Sequence, residues 1–441
     1  MPCVFGLSDR TCRRKCYTQP NYMSITRTIL RPVAWAAGSN ARRQRRRFLS
    51  ALANPAETQQ MLLRQMLSEF ADTDFGRDHN FSAISSYEEF TKAVPIRSYE
   101  DLSPYMDKIL AGNKKALLPD DDKLLMFAMT SATTGKAKYI PVSQRFLRDI
   151  RSGWNVFGIS ALQDHSSAWL RHILQITSSV CEQLSPTSLP CGAISGLLAK
   201  TQKRIVRRMY PAPSGCPEIA DAETRFYTLL RYAAVKDVAI ITTANPSSTI
   251  KLIETGQSHT ERLIRDIADG TFNPPGSLDG TAATFHPPKA MPALARRIDQ
   301  AVARDGRLLP GHLWNLSFLA NWTGGTLKLY LPRLRDLFGD VPIRDIGLVA
   351  SEGRFSLPLV DNSPAGPAEI TANFLEFIPA DQRSSANPGV LRVDELQLGG
   401  EYFIIFSNRT GLWRYDLDDR IRVVDHMGPS PVIEFLSRGL H

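Results

Sequence analysis

Three apolar runs, "KLLMFAM" (123–129), "DVAIITTA" (237–244) and "IRDIGLVA" (343–350), are each closed by a short polar segment and separated by helix-patterned chain. Runs of this length read as buried strands, and helices between successive strands cover both faces of a mostly parallel sheet. The sequence is thereby held to the α/β class. Helix punctuation agrees. In "NPAE", Asn54 stands at a capping position, Pro55 at the first helical position and Glu57 three residues after the cap. Met61, Leu62, Met66, Leu67 and Phe70 then recur at helical spacing. "SYEDLSPYMDKILAG" has acidic residues near its start and Gly112 past its end, and Ser143 is placed to cap "QRFLRDIRSGWNVFGI". Beyond residue 370, "NFLEFI", "YFIIFS", "LWRYDL" and "RIRVV" read as short strands joined by "NRTG" and "DLDD". These predict an antiparallel sheet or barrel attached to the α/β body. Residues 182–218, rich in Pro, Ser and Gly, read as a surface excursion.

Charge narrows the partners. The net charge of +9 invites a nucleic-acid reading, yet residues 1–47 hold eleven basic residues and one acidic, leaving 42 basic and 43 acidic in the remainder. The body is nearly neutral, so nucleic acid is not the expected partner; the basicity belongs to an extension containing "RRQRRR" (42–47), a solvated tail or the start of a surface helix. That extension lacks a secretory h-region, weakly resembles an organelle transit peptide, and contains Met23 as an alternative start. No apolar stretch has the length of a membrane span. Six scattered cysteines fit neither a zinc site nor a disulfide framework, and a reducing cytoplasm is expected.

Three polar segments carry the chemistry. "TSATTGKAKYIPVS" (130–143) gathers Thr130, Ser131, Thr133, Thr134 and Gly135 with Lys136 and Lys138. Short donors beside a cation suit phosphate oxygens, while a polar turn between two elements remains the alternative. It is not a P-loop, because G-x-x-x-x-G-K-[ST] is absent. "ASEGRFSLPL" (350–359) places Ser351 and Glu352 just past a strand end, where open α/β sheets put ligand-binding groups. Glu352 is either a Mg²⁺-holding carboxylate beside a polyphosphate or a solvated surface group. In "GLWRYDLDDRIRVV" (411–424), Asp419 suits a ribose diol, with Asp416 and Asp418 as turn residues; a charged hairpin turn is the alternative.

Taken in this order, the loop, the Ser-Glu element and the Tyr415-to-Asp419 element resemble the layout of adenylate-forming enzymes. The closer resemblance is to the auxin-responsive Gretchen Hagen family of acyl acid amido synthetases. It extends through "VPIRSYEDLSPYMDKILAGNKKALL", "LWNLSFLANWTGGTLKLYLPRL", "NFLEFIP" and "GGEYFIIFSNRTGLWRYDLDDRIRV", covering roughly residues 55–438. The resemblance implies an α/β large domain with helix-flanked sheets and a small distorted β-barrel. It implies that ATP adenylates a small carboxylic acid and that an amino acid amine then displaces AMP, in a chain expected to be monomeric. Residues 130, 131 and 133–135 would hold phosphates, with Gly324, Gly325, Ser351 and Tyr415 also at the nucleotide. Lys138 and Glu352 would be catalytic, Glu352 holding Mg²⁺. Asp419 would bind ribose, and Arg438, at the family's hinge arginine, ribose or phosphate.

Departures set further expectations. Ala132 replaces a loop glycine, Ala350 a serine, and Asp418 the glycine before the ribose aspartate. Residues 1–48 are expected to be a poorly ordered basic extension, 49–438 the large domain, and 439–441 a hinge stub without the family's mobile C-terminal domain and its lysine. Gly439 stands where the hinge usually has lysine. A non-catalytic nucleotide- or carboxylate-binding remnant and an acyl-CoA ligase-like activity are the alternatives.

Overall fold

The computed structural model describes residues 38–130, 137–278 and 285–439. Strand β1 (Leu124–Thr130) pairs antiparallel with β2 (Lys138–Ser143). The helix Gln144–Asp164 follows, its first turn capped by Ser143, whose hydroxyl accepts from the Phe146 N–H. Then come β3 (His172–Gln175), β4 (Gln183–Leu184) and β5 (Pro190–Gly192). Strand β5 runs parallel to β1 in a four-stranded sheet ordered β2-β1-β5-β4, with Cys191 buried. Residues 182–218 are therefore more than a surface excursion. Their strands are too short to show a period: β4 and β5 pair locally, antiparallel, and β5 is joined to the larger sheet by its distant pairing with β1.

Strands β6 (Val238–Thr242), β7 (Phe318–Asn321) and β8 (Ile343–Asp345) join β3 in a parallel sheet ordered β3-β6-β7-β8. The helices Ala222–Ala234, Pro246–Ser258 and Leu331–Phe338 pack Leu230, Ile253 and Leu334 into one core with Ile241 and Leu319 of this sheet. Each such side chain contributes about 1.5–3 kcal/mol on burial. The run at 343–350 does not continue as one strand. Gly347 has φ +85°, and β9 (Val349–Ala350) turns back against β10 (Gly353–Arg354). A Cβ on Gly347 would lie 2.3 Å from the Ser356 carbonyl oxygen. Gly347→Ala is expected to destabilise the chain by about 2–4 kcal/mol, combining left-handed strain with backbone crowding, read as a lowered urea midpoint.

Strands β11 (Gly366–Pro367), β12 (Asn373–Pro379), β13 (Leu391–Arg392), β14 (Glu401–Asn408), β15 (Tyr415–Met427) and β16 (Ser430–Arg438) form an antiparallel sheet ordered β11-β16-β15-β14-β12-β13. Its edge strands do not pair among the described residues, so no closed barrel is seen, contrary to the expected distorted barrel. The second half of "LWRYDL" and all of "RIRVV" belong to the single strand β15, which runs through "DLDD" rather than turning there, while residues 412–414 precede it. Alternation explains this: Tyr415, Leu417, Asp419, Ile421 and Val423 face inward while Asp416, Asp418 and Arg420 are only half-buried.

Two helix expectations differ in detail. Ser98 and Asp101 form a reciprocal capping box for the helix Tyr99–Leu110, whereas Asn54 makes no side-chain cap bond at Pro55–Phe70. The boundary expected at residue 48 falls inside the helix Ser39–Ala51, where Phe48 is buried and Arg45 donates to the Ser160 hydroxyl at 2.9 Å. Among the described residues, no helix is long and apolar enough to cross a membrane.

Candidate functional site

Thr130 and Lys138 stand opposite each other in the β1–β2 register, so the two ends flanking residues 131–136 are side by side. Ser131, Thr133, Thr134 and Gly135, with Ala132 and Lys136, lie outside the described residues. The Lys138 ammonium donates to the Tyr415 hydroxyl at 3.3 Å and sits 5.3 Å from the centre of the Tyr99 ring. Two aromatic neighbours hold the cation in place. Tyr99 is itself fixed, its hydroxyl accepting from the Tyr139 N–H at 2.9 Å. The Arg97 N–H donates to the Arg414 carbonyl, and the Asp416 N–H to the Arg97 carbonyl, each at 2.9 Å. The segment before the first strand is thus strapped across Tyr415. Burial, with the Glu352 charge adding to it, pushes the Tyr415 hydroxyl far above its usual range, so it remains a donor at neutral pH.

Glu352 lies between β9 and β10, only 3% exposed, with the half-buried Ser351 beside it. Its backbone carbonyl accepts from the Asn408 side-chain amide at 2.8 Å, and the same amide reaches the Asn373 side chain at 2.9 Å. The Asn408 side-chain oxygen accepts from both the N–H and the hydroxyl of Thr410. "NRTG" therefore joins two strands and also anchors Glu352. Burial raises the Glu352 carboxyl above its usual range, opposed by its own backbone N–H, Arg438 and Lys138.

Asp419 is 7% exposed and lies opposite Arg438 across β15 and β16. Burial pushes its carboxyl up to about 7; Arg438 opposes this, while Glu352, Asp418 and Asp416 reinforce it. Arg438, exposed at the end of β16, acts on Glu352, Tyr415 and Asp419 together. The three far-apart sequence elements thus share one electrostatic neighbourhood. Asp416 and Asp418 are not free turn residues: Arg383 pairs with them at 2.6 and 2.8 Å.

Gly324 and Gly325 pack against the same strand end. A Cβ on Gly325 would lie 2.7 Å from the Phe435 ring, and Trp322 meets that ring at a centroid distance of 5.3 Å. Asp345 ties this segment to the turn before Glu352, its carboxylate accepting from the Thr323 N–H and hydroxyl and from the Gly347 N–H, each at 2.6 Å. Burial nevertheless pushes Asp345 up to about 6. Tyr99, Asp345, Arg383 and Asn408 were not among the sequence candidates. The available signal was a polar residue interrupting an apolar run, Asp345 in "IRDIGLVA", or ending one, Asn408 in "YFIIFSN"; Tyr99 and Arg383 carried none.

The raised Asp419 carboxyl has a pH consequence. Between the ordinary 3.8 and about 7 the folded chain binds a proton at this site that the unfolded chain has lost, so its contribution to stability declines as pH rises. Asp419→Asn is expected to gain stability relative to the parent chain across that window, with little difference below it. Urea midpoints at several pH values check this.

Among the described residues, no group of three or more His, Cys, Asp and Glu side chains could hold a metal ion. A magnesium ion fits only in the mode in which a single carboxylate and the ligand's phosphates supply the ligands. The buried Glu352 carboxyl, for which no other side-chain donor is seen among the described residues, meets that requirement.

Comparison with known proteins follows the same outline. The GH3 family N-terminal domain matches residues 44–343 and the GH3 family central domain residues 368–438. The jasmonoyl–L-amino acid synthetase JAR4 of Nicotiana attenuata is 21% identical over 401 residues, covering 86% of this chain and 68% of that protein. The indole-3-acetic acid-amido synthetase GH3.8 of Oryza sativa subsp. indica is 22% identical over 446 residues, covering 94% and 72%. The GH3.15 acyl acid amido synthetase structure superposes with a TM-score of 0.73 at 20% identity, over 88% of this chain and 69% of that one, which shows a shared fold. Matched by two successive domains of one family across most of its length, the chain belongs to the GH3 family.

Proposed function

We propose that this chain is an ATP-dependent acyl acid amido synthetase, taking a small carboxylic acid and an amino acid. The carrying observation is the gathering of Lys138, Glu352, Tyr415, Asp419 and Arg438 into one charged cluster, in a chain similar to proteins named as acid–amino acid synthetases.

A free carboxylate is a poor electrophile because its carbonyl is electron-rich. In the proposed first step its oxygen attacks the α-phosphorus of ATP, and pyrophosphate leaves. In the second, the amine nitrogen attacks the acyl carbon, the bond to AMP breaks and the nitrogen loses a proton. Lys138, held by its rings, stabilises charge developing on the α-phosphate. Ionised Asp419 accepts from the ribose hydroxyls, Arg438 counters phosphate or ribose oxygens, and protonated Tyr415 donates. Glu352 is the residue that would hold magnesium; the ion, when bound, offsets the phosphate charge. Thr130, Ser131, Thr133, Thr134 and Gly135 are the proposed phosphate cradle.

Acid-dependent exchange of labelled pyrophosphate into ATP, run over a panel of aromatic and aliphatic carboxylic acids with Mg²⁺, tests this reading. Exchange with at least one acid, followed by amide formation when amino acids are added, is expected. ATP binding with no exchange from any acid would assign the chain to nucleotide binding instead.

A further inference from the structure

We infer that Arg383 is a positioning residue for the nucleotide, holding β15 and the end of β16 so that Asp419 presents an ionised carboxylate to the ribose. The inference rests on the proposed function, because it needs a ribose at Asp419. It starts from a conflict in the sequence. Asp416 and Asp418 closely precede the inward-facing Asp419, and three carboxylates in four residues repel one another.

The structure resolves that conflict with one side chain. Arg383, in the segment after β12, reaches Asp416 with one terminal nitrogen at 2.6 Å and Asp418 with the other at 2.8 Å. Its guanidinium lies 4.5 Å from the centre of the Phe403 ring of β14. A planar fork with a fixed spread can span two carboxylates in this way; a lysine's point charge cannot.

The same cluster sets the backbone. Asp418 has φ +63°, a left-handed conformation that an aspartate adopts at a cost and that glycine adopts freely. The free oxygen of Asp416 accepts from the Asp418 N–H at 3.0 Å, and the Asp418 carbonyl accepts from the Gly439 N–H at 2.8 Å. Arg383 therefore fixes the residue before Asp419 and, through it, the residue after Arg438. Asp418, standing where the family resemblance has glycine, is tolerated because its charge is neutralised and its backbone is tied down.

The groups facing Asp419 are Arg438 from β16, Glu352 from the β9–β10 turn, and Asp416 and Asp418 from its own strand; Arg383 compensates the last two. Without Arg383, both aspartates act on Asp419 unopposed and its proton is held to higher pH. A protonated carboxyl accepts poorly from a diol.

The test is calorimetric titration of the full chain with AMP from pH 5.5 to 8.5, with 3′-deoxy-AMP as the diol control. In the parent chain AMP affinity falls on acidification and exceeds that of 3′-deoxy-AMP. Arg383→Gln is expected to move the midpoint of that fall upward by about one pH unit and to reduce discrimination against the deoxy nucleotide. Arg383→Gln/Asp418→Gly is expected to recover most of the shift, because glycine removes both the charge and the left-handed strain. Arg383→Lys, which keeps one charge but cannot span both carboxylates, is expected to give a smaller upward shift, and this arm decides the matter should Arg383→Gln fail to unfold cooperatively. An unchanged midpoint and unchanged discrimination in a folded Arg383→Gln chain, or in Arg383→Lys where Arg383→Gln does not fold, would overturn the role of Arg383 while the parent chain still binds AMP. A parent chain that binds no AMP overturns the proposed function and this inference with it.

Discussion

Glu352→Gln is expected to lower acid-dependent pyrophosphate exchange about 100- to 1000-fold while leaving the chain as stable as its parent, or more so. Both halves follow from the carboxyl's surroundings. It is buried, and burial raises its proton affinity despite Arg438 and Lys138 nearby. A group whose charge is disfavoured in the folded state weakens that state above its ordinary pKa, so a neutral isostere removes the penalty. What the substitution takes away is, on the proposed function, the negative charge that would hold a cation beside phosphates. The backbone carbonyl bond from Asn408 survives, because it does not involve the side chain. Exchange assays beside urea midpoints check the pair of outcomes. Retained exchange would return Glu352 to a purely structural place.

The largest stability effect is expected at the buried Arg414–Glu376 pair, just before Tyr415. The Arg414 guanidinium meets both Glu376 oxygens, at 2.9–3.1 Å, and donates to the Val94 carbonyl at 2.9 Å. The Tyr87 hydroxyl donates to the same carboxylate at 2.8 Å. Neither charged side chain is more than 6% exposed. Arg414→Met leaves the carboxylate uncompensated in the interior and is expected to cost about 3–5 kcal/mol. Arg414→Met/Glu376→Leu, which removes both charges, is expected to recover more than half of that loss. Urea midpoints with unchanged denaturant slopes check this. Exchange activity is not expected to return with stability in the double variant, because Arg414 also braces the strand entering Tyr415. Equal destabilisation in the single and double variants would mean that packing volume, not the unpaired charge, governs the site.

How much of this was legible beforehand depended on how local each signal is. Ser143 capping its helix and Ser98 with Asp101 in a capping box are contacts within one turn, and the sequence displays them directly. The strands Leu124–Thr130 and Val238–Thr242 announced themselves as apolar runs, since both of their faces are covered. The expected turn at "DLDD" failed because polarity was taken as exposure. Asp419 occupies an inward position of an alternating strand, where a carboxylate interrupts an otherwise apolar face. The strand Pro190–Gly192 enters its sheet by pairing with residues more than sixty positions earlier, a contact no local pattern shows. Arg383, Asn408 and Asp345 act through side-chain bonds across long stretches of chain, which no local pattern encodes.

If Lys138, Glu352, Tyr415, Asp419 and Arg438 line a single nucleotide site, a crystal structure of the full chain grown with AMP has the ribose hydroxyls within hydrogen-bond distance of the Asp419 carboxylate and the phosphate between Lys138 and Arg438. AMP bound elsewhere, with Asp419 and Lys138 touching no part of it, would rule out a shared site.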